Sequence, residues 1–344
     1  MNFDHIMSWA FWDQVATAAR SDLSGINGAM ILIFWGILAF AAVYTYFQVP
    51  PPRSLRGLFG HLLPQETLRH PSARADLLFW LSRRIFMPLF VLPLAVSTVA
   101  AGHAAYWLLG HVFEHPAHTP GPAGPLTLVA FTVTMLLAYD ISYYLYHRLQ
   151  HRVAFMWELH KVHHSAEVMV GVTKDRVHPL DEIMNRWWDG IIPGLAYGVW
   201  LFFALDPVEL TVFGINVYFL RNTVLMMDFI RHTHLKLSYG RWFNRIFLCP
   251  HYHQLHHSVA REHWHRNFGL TLAVWDRMFG TLVMPKPGED FLFGLPDREA
   301  DEYQSLARLH FVPMKKIALL TWRRWIADRA RLRGSRHLLQ TTDR

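Results

Sequence analysis

The chain has 344 residues, with 33 Lys and Arg against 26 Asp and Glu and a formal charge of +7. It is 52% hydrophobic yet 17% charged, a mixture that suits a protein partly in lipid and partly in water. The positive balance comes without a basic stripe, zinc-finger spacing or aromatic stacking motif, which excludes a nucleic-acid reader.

The first 25 residues carry Asp4, Asp13 and Asp22 and lack a basic segment followed by a short apolar core, so no cleavable signal peptide is read there. Ile26 to Phe47 is almost wholly apolar and long enough for one membrane crossing, and Pro50-Pro51-Pro52 stops it. A basic segment follows, with Arg53, Arg56, Arg69, Arg74, Arg83 and Arg84. Ile85 to Phe113 is a second apolar stretch, broken by Pro88 and Pro93, which a membrane helix tolerates. The loop from Glu114 to Pro125 has no Lys or Arg. Leu126 to Tyr146 is apolar until Asp140 and then rich in tyrosine, as expected near a lipid–water boundary. It runs directly into His147.

Arg148 to Trp188 is polar and histidine-rich. Ile191 to Ile230 is apolar again, with a break at Asp206-Pro207, and reads as a hairpin of two spans or two half-spans. Arg221 and Asn222 lie in its second arm, where a charge should face protein or a cavity. From Arg231 the chain is polar, and from Lys315 it reads as a basic amphipathic or peripheral helix.

Loop charge orients these segments. The basic stretches 53–84, 148–186, 231–245 and 315–344 belong on the cytoplasmic side, and the loops near 114–125 and 204–209 outside. Five crossings with the N-terminus outside satisfy all of them. The expected architecture is therefore all-α: a multi-pass transmembrane bundle of about four to five spans with a cytoplasmic, histidine-rich helical cap. Residues 1–124 are expected to form an N-terminal membrane region, 125–285 a catalytic domain and 286–344 a basic cytoplasmic tail. The expected location is a bacterial inner membrane, ahead of the endoplasmic reticulum.

There are 23 histidines and one cysteine, Cys249. The lone cysteine excludes a disulfide framework and a thiolate metal cage. A histidine excess needs its own reason, and metal ligation is the commonest strong one. His147 and His151 stand at i and i+4, on one face of a helix. His160, His163 and His164 add i, i+3 and i+4, with His163 and His164 diverging enough to serve neighbouring ions. His253, His256 and His257 repeat that pattern. His178 and His232 lie between the clusters and are counted with the ligands, while His234 and His251 are left open. A lone histidine is ordinarily a surface or core residue, but two H-x-x-H-H clusters and an H-x-x-x-H are too many for coincidence. They are also too many for one structural zinc, which needs four ligands, and they suit two ions with room for a substrate. Imidazole by itself does not choose between Zn, Cu, Fe and Ni.

These strings resemble the fatty acid hydroxylase/sterol desaturase superfamily of integral-membrane di-iron enzymes. Asp140-x-x-x-Tyr144-x-x-His147-Arg148-x-x-His151, His160-Lys161-Val162-His163-His164-Ser165 and Pro250-x-x-His253-x-x-His256-His257-Ser258 resemble its three boxes. Arg176-x-His178-Pro179, Asn267-Phe268-Gly269 and Trp275-Asp276-Arg277-x-Phe279-Gly280-Thr281 are similar to further segments. The likeness spans roughly residues 125–285, in order as well as spacing. His232-Thr233-His234 departs from the usual His-x-Asn, and His251 and His265 are additional, which leaves the ligand count open.

The resemblance implies two non-haem iron ions, O2 as co-substrate and two electrons from outside, used to hydroxylate an unactivated C–H bond of a fatty acyl or sterol-like lipid. A sterol-type desaturase and an alkylglycerol monooxygenase share the boxes. A zinc-dependent membrane hydrolase is the alternative from another class, against which stands the lack of H-E-x-x-H. A metal transporter would place its histidines in mid-span, and here they fill polar segments. Carboxylates are expected behind the ligands; Asp140 is the best placed, with Asp276, Asp181 and Glu182 as further candidates. No G-x-G-x-x-G or fused haem domain is present, so an acidic carrier such as cytochrome b5, or a ferredoxin with its reductase, is expected on the basic face.

Overall fold

A computed structural model describes residues 38–47, 54–87, 97–114, 124–203, 227–286 and 289–342, with a few isolated positions before residue 38. Arg221, Asn222, the Asp206-Pro207 break and the loop at 115–123 lie outside the described residues. In chain order the helices are α1 Leu38–Phe47, α2 Leu55–Leu62, α3 Gln65–Arg69, α4 Pro71–Phe86, α5 Ser97–Val112, α6 Pro125–Gln150, α7 Ala154–His164, α8 Pro179–Phe203, α9 Met227–Arg231, α10 Pro250–His256, α11 Val274–Met278 and α12 Leu306–Thr342. Among the described residues there is no strand; pairing is limited to two isolated bridges, Phe247 with Leu272 and Ser258 with Phe293. The all-α expectation matches this.

Helix starts follow local chemistry. Pro71, Pro125 and Pro250 open α4, α6 and α10, where a missing N–H costs nothing. Ser54 caps α2 by accepting from the Gly57 N–H at 3.0 Å.

Of the described helices, α6 alone is long and apolar enough to cross a membrane. It buries Phe131, Met135 and Ala138 on one side and exposes Leu126, Val129, Val133 and Leu137 on another. A matching exposed stripe at i+4 spacing, Ile191, Leu195, Val199 and Phe203, runs along α8. Rows of exposed aliphatic side chains need an apolar surrounding.

Helices α5 and α8 pack backbone to backbone. A Cβ on Gly194 would stand 2.7 Å from the Thr98 carbonyl, and one on Gly198 would collide with the Gly102 carbonyl. This Gly-x-x-x-Gly approach is the small-residue packing common between membrane helices.

The three expected segments meet in one core. Ala75 and Phe79 of α4, Val162 of α7, and Leu295, Ala300, Tyr303 and Leu309 form a single buried cluster. At its edge lies Arg176, fully buried. Its guanidinium pairs with Asp76 at 2.7 Å and donates to the Val162 carbonyl at 3.0 Å, Ser165 Oγ at 2.8 Å and the Tyr303 carbonyl at 3.1 Å. Arg176 thus grips both sides of His163-His164 at the end of α7.

Candidate metal centre

Four short elements deliver the histidines. The last turn and C-cap of α6 carry His147 and His151, and α7 carries His160, His163 and His164. His232 follows α9, and α10 with its C-cap brings His253, His256 and His257. All nine are buried.

They sort into two groups. His147, His151, His160, His164 and His256 place one ring nitrogen each within 4.8 Å of the others, and His163, His232, His253 and His257 do the same. The neighbours His163 and His164 serve different groups because they point 100° apart around α7. The groups touch: the rings of His164 and His257 stack at 4.4 Å.

The nitrogens face inward because the other side of the ring is held. His147 Nδ1–H donates to the Phe268 carbonyl at 2.9 Å, and His256 Nδ1–H to the Arg266 carbonyl at 2.7 Å. His232 Nδ1–H donates to the Asp228 carbonyl at 2.8 Å, and His160 Nδ1 approaches Asp181 Oδ2 at 3.4 Å. Such bonds fix the tautomer of a ligand. What remains is unsatisfied: Nε2 of His147, His151, His160, His164 and His256 is buried without a hydrogen bond. Native interiors leave few polar atoms so, and five converging on one point fit an ion.

In the second group the Nε2 atoms stand 3.1 Å (His232 to His163), 2.9 Å (His253 to His232) and 3.2 Å (His257 to His253) apart. Metal–nitrogen bonds of about 2.0–2.1 Å, as in zinc sites, separate neighbouring ligand nitrogens by about 3.0–3.4 Å. The residues present therefore fit two ions. They are also in the right protonation state. Burial, reinforced by neighbouring imidazoles, holds His163, His164, His253 and His257 well below the ordinary imidazole range, and burial brings His256 down to about 3. Neutral imidazoles keep a lone pair to give.

Of the ten expected ligands, His178 stands apart. Its Nε2–H donates to the His310 carbonyl at 3.0 Å and its Nδ1 accepts from the Leu180 N–H at 3.2 Å, so both nitrogens are spent on joining the start of α8 to α12. His234 donates to the His61 carbonyl at 2.6 Å and His251 contacts Gln254 Oε1 at 3.0 Å, both away from the two groups.

The carboxylates also differ from expectation. Asp140 touches no histidine; it accepts from the Thr271 and Leu272 N–H groups and the Trp275 indole and so pins the loop before α11. Asp276 accepts from the Phe268 and Gly269 N–H groups and Thr281 Oγ1, holding the peptide whose carbonyl orients His147. Asp181 is the carboxylate that faces one of the clustered histidines. It receives Tyr146 OH and Gln150 Nε2, each at 2.8 Å, beside His160. Glu182 pairs instead with Arg83 and Arg186. Sequence reasoning passed over Arg176 as a determinant of the site, since only the fold brings Val162, Ser165 and Asp76 around it.

The centre is reached from two sides. A cavity of about 640 Å³ is floored by His160, His163 and His232, and a smaller one of about 220 Å³ meets His151, His164 and His256.

Residues 132–281 match the family model described as fatty acid hydroxylase. The segment spans the three histidine boxes and fits the fatty acid hydroxylase/sterol desaturase superfamily that they resemble. It is 32% identical to the alkylglycerol monooxygenase of Xenopus tropicalis over 46% of this chain and 31% of that protein. It is 27% identical to the ornithine lipid hydroxylase OlsE of Rhizobium tropici over 56% and 50% of the two chains. For the human cholesterol 25-hydroxylase the identity is 25% over 50% and 58%. The chain thus spans between about a third and three fifths of these relatives. No solved structure matches.

Proposed function

We propose that this chain is a membrane-bound, O2-dependent di-iron enzyme that hydroxylates an unactivated C–H bond of a lipid. The observation that carries the reading is the pair of adjacent, buried, all-imidazole nests, five histidines beside four. The names of its relatives, lipid hydroxylases and monooxygenases, support the class of substrate. When bound, two ferrous ions would let O2 attack a bond that has no acidic proton; of the four electrons O2 takes up, two would come from the C–H bond and two from an outside donor that restores the irons.

The chain's own residues do the rest. Neutral imidazoles hold the ions without protons to compete for them, and Asp181 and the Phe268 and Arg266 carbonyls keep three of the rings aimed. Phe268, fully buried against the rings of His147, His151 and His256, keeps water from the first nest. Tyr143 and Tyr146 line the larger cavity beside His160 and His163.

We place residues 125–285 as the catalytic domain, in a multi-pass protein of the inner bacterial membrane with both nests at the cytoplasmic surface. The exposed aliphatic stripes of α6 and α8 and the glycine packing of α5 on α8 support a lipid surrounding. An acidic carrier of the cytochrome b5 or ferredoxin type would deliver electrons to that basic face.

The test is a comparison of lipid extracts made under ¹⁸O2 with and without expression, alongside metal analysis of the purified protein. The expected result is one ¹⁸O in a lipid product and about two irons per chain; His163→Ala should lose the labelled product and one of the irons while the protein still inserts. Loss of two hydrogens without oxygen would mean desaturation instead. Stoichiometric zinc with hydrolysis would overturn the reading.

A further inference from the structure

The larger cavity is unusual for a hydrocarbon site. Its wall beside the metal-facing histidines carries Arg83, Arg84, Lys174 and Arg186. Glu182 is shared by Arg83 at 3.0 Å and Arg186 at 2.8 Å, and Asp175 by Arg83 at 3.8 Å and Lys174 at 3.4 Å. Among the described residues Arg84 meets no carboxylate; its guanidinium lies 4.8 Å over the Trp80 ring, exposed. Asp189 and Asp228 also line the cavity, and Asp228 is turned to His232, 3.5 Å from its Nδ1. The nests add no negative charge, because all nine ligands are imidazoles.

Filling this space with hydrocarbon would strip water from half-exposed and shared cations and give nothing back. A phosphate or carboxylate replaces that water with charge-assisted hydrogen bonds, for which arginine geometry is well matched. We propose that the cavity takes a polar lipid by an anionic group in its head, and that the oxidised carbon lies close to that head group. This rests on the oxygenase reading above. Size supports it: a round cavity of about 640 Å³ is roughly 11 Å across, so a head group held at the wall leaves only the first few carbons beside His160 and His163. The place of the cations at the end of α4, where the basic segment gives way to the apolar stretch from Ile85, sets them at head-group level.

The balance of the proposed step is that of a monooxygenase. One C–H bond near the head group breaks and a C–O bond forms with one oxygen atom. The other oxygen leaves as water with two protons and two electrons from the external carrier.

Binding tests the proposal without turnover. The full chain in detergent is titrated with dihexanoyl phosphatidylglycerol, with dihexanoylglycerol as its uncharged counterpart, and with inorganic phosphate, by thermal shift. The phosphatidyl lipid should bind at least tenfold more tightly than either. Arg84→Gln with Lys174→Gln should remove the preference, and Arg84→Lys should keep it. Equal binding of the uncharged lipid, phosphate binding as tightly as the lipid, or a preference that survives the double substitution would each overturn it. Fragmentation of the ¹⁸O-labelled product should place the label in the head-bearing fragment; a label at the far end of the chain would also overturn it. Failure of selectivity leaves the oxygenase reading standing, whereas intact selectivity with no ¹⁸O incorporation sinks that reading alone.

Discussion

Asp181→Asn should weaken one of the two proposed ions and leave the other in place. Three donors converge on the Asp181 carboxylate: Tyr146 OH at 2.8 Å, Gln150 Nε2 at 2.8 Å to each oxygen, and His160 Nδ1 at 3.4 Å. An amide has one acceptor oxygen where a carboxylate has two, so either orientation turns an N–H toward a donor. The bond to His160 is the longest and yields first. Loss of a partner behind a ligand ordinarily costs 10–100-fold in metal affinity, about 1.4–2.7 kcal/mol. Because His147 and His256 of the same nest are held by backbone carbonyls, the low end, about tenfold, is expected. His163, His232, His253 and His257 make no contact with Asp181, so the second ion should be unaffected. The assay is metal retained per chain after equilibration against graded chelator, read by elemental analysis. One ion should leave at about tenfold lower chelator concentration and the other at the wild-type concentration. Release of both ions together, or no change in either, would refute the assignment of Asp181 to a single nest.

Three further outcomes are expected. Arg176→Met leaves Asp76 unpaired in a site where burial already pushes its carboxyl upward, and should cost about 3–5 kcal/mol in denaturant unfolding; a loss below about 1 kcal/mol would show that the clamp on α7 does not matter. His178→Ala should keep the full metal content and cost only a helix cap, about 0.5–2 kcal/mol, whereas His164→Ala should lose one ion; equal metal loss in both would restore His178 to the ligand set. Metal-free protein should be acid-sensitive. Folded pKa values of His163, His164, His253, His256 and His257 lie below the unfolded value near 6.5, so the unfolded chain takes up protons first. Stability is then full above pH 6.5 and falls below it, by about 1.4 kcal/mol per pH unit for each such group. Denaturation midpoints between pH 7.5 and 5.5 check this, and a flat profile would count against buried neutral imidazoles.

The boxes at 147–151, 160–164 and 253–257 were legible from spacing alone, because i, i+3 and i+4 share a helix face whatever the rest of the chain does. The divergence of His163 from His164 follows from the same helical angle. All-α architecture and α6 were equally local matters of apolar length. The sorting of the histidines into two nests was not legible, since His232 joins His163 and His253 only across long stretches of chain. Sequence distance also misled the choice of carboxylate. Asp140 lies two turns before His147 on one helix, yet its oxygens are taken by Thr271, Leu272 and Trp275, which the fold brings to it. Asp181 reaches His160 only because α8 crosses the ends of α6 and α7. His178 has the residue type of a ligand, but at the start of α8 its two nitrogens meet the His310 carbonyl and the Leu180 N–H first. Residue type and helical period by themselves determined which side chains could bind metal. Only tertiary packing decided which nitrogens are left without another partner, and those are the ones an ion can use.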